Sequence, residues 1–174
     1  NSGRRQRQMC IRDSINAVNR IWVDEYKVDG FRFDAMYMIG WDMQQQEYGI
    51  PGWSTALYNY DSTIYQIAEH LPSNPWLIDN TDLSSGWHDS FHDRLLNDVH
   101  NQSLGTISIM RQIVGLHEYS DWGDPYSDRT QAVKYMVSHD EQSILQEMVT
   151  FNNFSVEEAL SLIHISEPTR LLAI

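Results

Sequence analysis

The sequence predicts an α/β fold built from repeating strand–helix units, and three observations carry that prediction. Residues 28–34 (VDGFRFD) and 64–69 (IYQIAE) are short apolar runs that each end on an acid, and residues 132–141 (AVKYMVSHDE) are a third run that ends in polar residues. Runs of this kind suit buried parallel strands that present their last residue at the C-terminal edge of a sheet. Between them lie stretches with apolar residues at helical spacing and loops rich in Gly, Pro and aromatic residues, which in barrels of strands and helices line the functional face.

Residues 15–27 place Val18, Ile21, Trp22 and Tyr26 at helical spacing, an amphipathic helix that feeds the first strand. In that strand Arg32 precedes Asp34 by two residues, so both side chains point to one face and the guanidinium can orient the carboxylate. Taken alone, the stretch reads equally as an ordinary strand with a structural ion pair. Residues 35–53 read as a loop with breakers at Gly40, Gly49, Pro51 and Gly52, and residues 54–60 as a short helix. The second strand delivers Glu69, followed directly by His70.

Residues 71–85 read as irregular, Trp87 as the start of a further strand, and Phe91, Leu95 and Val99 as one face of a helix. His88 and His92 stand four apart beside Asp89 and Asp93, but HExxH is not met and spacing identifies no third ligand. They are assigned to a polar rim, and no metal is expected. Residues 106–116 read as the next helix and 117–129 as an acidic aromatic loop, while 144–148 begin another helix. Ser155 and Glu158 have capping-box spacing for a last one.

VDGFRFD resembles the second conserved stretch of the α-amylase family, glycoside hydrolase family 13, whose pattern is GFRxD. The resemblance implies a partial (β/α)8 barrel, approximately its strands 4 to 7, with Asp34 as nucleophile, Glu69 as general acid/base and Asp140 holding sugar hydroxyls in the transition state. Intervals of 35 and 71 positions between these acids suit strands four, five and seven of the family. Arg32, His139 and His70 are the implied substrate-side neighbours, His70 either bonding the acid or serving structure alone. Trp41 and Trp53 are candidates for stacking on sugar rings or for packing. Where family members carry Lys-His after the nucleophile this chain has Tyr37 and Met38, so those substrate or calcium roles are not carried over. The implied activity is retaining hydrolysis of α-1,4-glucans, with no cofactor. The alternatives are a branching enzyme, which the SHDE sequence also suits, and a non-catalytic carbohydrate-binding relative.

The chain ends stand outside this pattern. One DNA sequence that encodes Met9 to Ser14 (MCIRDS) has a reverse complement that encodes LSLIHI, residues 160–165. Protein physics does not produce such a relation, and the DNA resembles a transposon-end sequencing adapter. Residues 1–14 and 160–174 are therefore read as adapter-derived, and 15–159 as the fragment of the catalytic barrel. Alone, that fragment is expected to have open sheet edges and to be poorly soluble.

Five of the twelve basic residues (Arg4, Arg5, Arg7, Arg12, Arg170) and two of the twenty-four acidic ones (Asp13, Glu167) fall in these ends. The central segment then carries 7 basic against 22 acidic residues, a net of about −15. So acidic a surface disfavours nucleic acid and anionic membranes and is compatible with a neutral glucan. Cys10, the single cysteine, lies in the first end, so the central segment has no disulfide or thiol chemistry.

Overall fold

The computed structural model describes residues 2–39, 49–100 and 126–166. Among the described residues four strands, β1 (Gly30–Phe33), β2 (Tyr65–Ala68), β3 (Ser85–Trp87) and β4 (Ala132–Val133), form one sheet in chain order, every neighbouring pair parallel. Six α-helices accompany them among the described residues: α1 (Ser2–Asp24), α2 (Ile50–Tyr60), α3 (Pro75–Asp79), α4 (Asp89–His100), α5 (Ile144–Phe151) and α6 (Val156–Ser166). The chain is thus α/β, and its sheet grows in one direction, a topology compatible with part of a barrel.

Register sets the rest. Phe33 pairs with Ala68, and Ala68 with Gly86, so Asp34, Glu69 and Trp87 occupy the next rung at the C-terminal edge. Alternation along β1 turns Phe31 and Phe33 to one side, their rings stacked at 5.9 Å, and sends Arg32 to the other. Phe33 belongs to a core with Met36, Ile50, Leu57, Ala68 and Leu77. Gln66, fully buried on β2, donates to the Ser54 and Asp82 carbonyls at 3.1 Å each and ties α2 to the chain before β3. Phe91, Leu95, Ile144, Met148 and Ala159 build a second cluster joining α4, α5 and α6.

Gly30 is required by a close approach. A Cβ there would lie 2.6 Å from the Tyr65 carbonyl oxygen, a backbone atom that cannot step aside without opening the β1–β2 ladder. At Gly86 the nearest atom, at 2.8 Å, is the far end of the Tyr126 side chain. Gly30→Ala is therefore expected to destabilise the chain by about 2 kcal/mol, and Gly86→Ala by clearly less, in urea titrations of the two variants. Equal losses would contradict the ranking.

Several expectations are corrected. α1 runs from Ser2 rather than residue 15, and Val18, Ile21, Trp22 and Tyr26 are exposed. The helix instead turns Asn19 and Val23 inward, while Arg20 lies 4.6 Å over the Tyr60 ring and Asp24 accepts from its hydroxyl at 2.6 Å. α2 begins at Ile50, because Pro51 in a first turn has no N–H to lose and Gly49 serves as N-cap. Residues 71–85 are not wholly irregular: Asn74 caps α3 by accepting from the Leu77 N–H at 3.1 Å, with Pro75 again in the first turn.

The chain from β3 onward also departs from expectation. Trp87 ends β3 rather than starting it. β4 spans two residues, so Asp140 lies in the loop beyond it and not at a strand end. His88 and His92 are buried, not a solvated rim. The Ser155–Glu158 capping box forms as expected, but α6 continues past residue 159 to Ser166 and packs Ile163 into the second cluster. The helix expected at 106–116 lies outside the described residues.

Candidate active site

Arg32 is the centre of the C-terminal edge. Its Nη1 donates to Asp34 Oδ1 at 2.5 Å, its Nη2 donates to Glu69 Oε1, and the same Nη2 lies 3.9 Å from Asp140 Oδ2. One guanidinium therefore gathers the acids of three separate runs. Its planar fork allows this, since an ammonium is a point charge that cannot address two carboxylates in fixed directions.

The three acids differ in setting. Asp34, one residue past β1, has a side chain 76% exposed, and Asp140 is 59% exposed, whereas the Glu69 side chain is only 10% exposed. Glu69 Oε2 accepts from the Ala35 N–H at 2.7 Å. Ala35 can aim that N–H because it sits in the left-handed region, φ 46°, at the turn just after Asp34. Backbone bonds lock the turn to β2: Glu69 N–H donates to the Phe33 carbonyl at 3.0 Å and Met36 N–H to the Glu69 carbonyl at 2.8 Å. Glu69 is thus a buried acceptor with both oxygens engaged, and Asp34 an exposed carboxylate held from one side.

His139 is exposed and places Nε2 3.1 Å from Asp140 Oδ2, as the sequence pairs them. His70 is buried but does not bond the Glu69 carboxylate; its Nδ1 meets the Pro72 carbonyl at 2.9 Å, so that nitrogen carries the proton. Tyr37 approaches the His70 ring edge-on at 6.3 Å. Trp53 lies on α2, half-buried against Phe33 with ring centroids 5.3 Å apart, which gives it a packing role. Trp41 lies outside the described residues.

Sequence reasoning missed four contributors. Ala35 supplies its backbone N–H, for which no side-chain signal exists. Trp87 places its ring under Arg32, the guanidinium carbon 5.3 Å from the ring centroid, and Tyr135 stacks on Trp87 at 4.6 Å. No apolar run marks Trp87, because Ser84, Ser85 and Gly86 precede it and β3 is only three residues long. Glu141 accepts from the Ser138 N–H at 2.7 Å and from its hydroxyl, closing the loop that carries Asp140.

Burial alone would raise the Glu141 carboxyl, but the Ser138 hydroxyl and N–H, with the His92 ring nearby, hold it below its ordinary value of 4.5. With the folded-state value depressed, the stabilisation is complete above 4.5 and is lost as pH falls through the lower folded value. Residues 138–141 are therefore expected to loosen only in acid. Ser138→Ala is expected to move the Glu141 carbonyl-carbon titration upward in NMR. An unmoved titration would show that Ser138 does not hold the loop.

Among the described residues no group of three or more His, Cys, Asp or Glu is placed to hold a metal ion, and no helix is long and apolar enough to cross a membrane. Fold and site together define a class: an α/β chain whose parallel sheet presents carboxylates, bridged by one guanidinium, at its C-terminal edge. No protein-family model matches the chain, and no curated protein matches it.

Proposed function

We propose that the chain is part of an α-amylase-type catalytic barrel, approximately its fourth to seventh strand–helix units, and that the barrel is a retaining glycoside hydrolase of α-1,4-linked glucans. What supports the reading is the convergence of Asp34, Glu69 and Asp140 on Arg32, three acids from separate runs on one guanidinium at one sheet edge. Glu69, protonated, gives its proton to the glycosidic oxygen as Asp34 attacks the anomeric carbon; the bond to the leaving sugar breaks and a glycosyl ester on Asp34 forms. Glu69, now a carboxylate, takes a proton from water, whose oxygen attacks the same carbon and releases Asp34. Retention requires the two carboxyls about 5–5.5 Å apart, a spacing that neighbouring strand ends allow.

Arg32 has a definite part in this scheme. Arg32 and the Ala35 N–H each engage one oxygen of Glu69, and the same guanidinium holds Asp34, so in this scheme Arg32 orients nucleophile and acid/base together. Asp140, reached more loosely at 3.9 Å, is free to turn to sugar hydroxyls, with His139 beside it. The SHDE sequence around Asp140 also suits a branching enzyme, in which a glucan hydroxyl replaces water as acceptor. The test is to recover the full-length gene, express the protein and measure reducing ends and branch content on amylose. Rising reducing ends without new branches support hydrolysis, and new branches with few reducing ends support transfer. Glucan binding with neither would make the protein a non-catalytic carbohydrate binder.

A further inference from the structure

Asp140 poses a problem of placement. It is exposed, seven positions beyond the end of β4, yet it meets Arg32 on β1. The sheet cannot position it. What spans the gap is a column of side chains from four elements: Arg32 on β1, Trp87 at the end of β3, Tyr135 just after β4, and His92 on α4. The Arg32 guanidinium carbon is 5.3 Å from the Trp87 ring centroid. Trp87 and Tyr135 stack at 4.6 Å and 28°, and Tyr135 and His92 at 5.4 Å and 9°.

We propose that Trp87 and Tyr135 are positioning residues, which dock the 134–141 loop through this column and so hold Asp140 against the Arg32-bridged pair of Asp34 and Glu69.

Three observations beyond the stacking carry this. Tyr135 is anchored at its far end, its hydroxyl donating to Asp89 Oδ1 at 2.8 Å. The next residue is anchored too: the Met136 carbonyl accepts from His92 Nδ1 at 2.6 Å, so the loop is pinned to α4 from two adjacent positions. Arg32 Nε is buried and has no hydrogen-bond partner among the described residues. On that side the guanidinium is held by packing, and the Trp87 ring, negative on its face, is suited to a cation. From Tyr135 the loop runs three residues to Ser138, where the Glu141 contact closes it. With Arg32 and Tyr135 both against its ring, Trp87 is a support within the protein rather than a platform for substrate.

The inference rests on the proposed function only for its consequence on turnover, and the test separates the two. Hydrogen exchange of the 134–141 peptide is measured by mass spectrometry in the full chain and in Trp87→Leu, Tyr135→Leu, Trp87→Phe and Tyr135→Phe. Both leucine variants are expected to exchange about tenfold faster there, with the β2 peptide unchanged; Trp87→Phe is expected to stay within about twofold of the parent, and Tyr135→Phe, which keeps the ring but loses the Asp89 bond, to fall between the parent and Tyr135→Leu. Unchanged exchange in the leucine variants overturns the proposal. So does a phenylalanine variant as fast as its leucine counterpart, because the ring would then not be what holds the loop.

Should a leucine variant lose the sheet as well, the Arg32 Nε–H resonance decides in the parent and in Trp87→Phe. A proton shifted upfield by the ring in both supports the column, and an unshifted one overturns it. Glucan turnover is measured in the full-length protein, as parent and with the same substitutions. A parent without turnover but with the expected exchange pattern removes the glycosidase reading and leaves the positioning role standing. Turnover with unaltered exchange does the reverse.

Discussion

Arg32→Leu is expected to destabilise the chain by about 3 kcal/mol, because it strands the Glu69 carboxylate in a site that is only 10% exposed. The loss sits at the lower end for a broken buried pair, since the Ala35 N–H remains on Oε2 and the other two carboxylates reach water. Arg32→Lys is expected to recover only part, an ammonium being unable to bridge Asp34 and Glu69 as a fork does. Adding Glu69→Gln to Arg32→Leu removes the stranded charge and is expected to restore about half of the lost stability. Urea titration of the parent, Arg32→Leu, Glu69→Gln and the double variant measures this cycle, with Arg32→Lys titrated alongside. If Arg32→Leu costs less than about 0.5 kcal/mol, the guanidinium does not organise the edge. If the full-length protein is the proposed glycosidase, the same change is expected to lower kcat/KM by about a thousandfold, as it releases all three acids together.

Asp34→Asn is expected to separate chemistry from stability. The side chain is 76% exposed and its bond to Arg32 is partly in water, so the unfolding free energy should stay within about 0.5 kcal/mol of the parent. Turnover of an α-1,4-glucan by the full-length protein should fall by about ten-thousandfold or more, because an amide oxygen is a poor nucleophile toward an anomeric carbon. Glucan affinity should change by no more than about threefold, the residue contributing to the transition state rather than to ground-state binding. Glu69→Gln, by contrast, should lose both turnover and stability. Turnover that survives Asp34→Asn would remove the double-displacement reading altogether.

The two predictions differ for a reason visible in part from sequence. VDGFRFD and IYQIAE are apolar runs with an acid one residue past the strand, and both strands form as their patterns imply, trimmed to Gly30–Phe33 and Tyr65–Ala68. The two-residue spacing of Arg32 and Asp34 correctly puts them on one face. The Ser155–Glu158 box is equally legible, because a cap is satisfied by atoms three residues apart. Where local pattern misleads, as in α1, the apolar residues at helical spacing allow more than one inward face. The contacts of Arg20 and Asp24 with Tyr60 select another.

By itself the sequence determined the α/β character, the acids one residue past β1 and β2 and the acidity of the chain, since apolar runs, period-3.6 patterns and charge are properties of neighbours in the chain. Only the tertiary structure decided that one guanidinium meets three carboxylates, that the backbone of Ala35 completes the Glu69 site, and that Trp87 and Tyr135 stand between Arg32 and His92. The reason is register. Arg32 and Glu69 are 37 residues apart, and which polar group meets which across that distance depends on how strands slide and loops close. A one-residue slip of β2 would leave every local pattern intact and turn Glu69 away from Arg32.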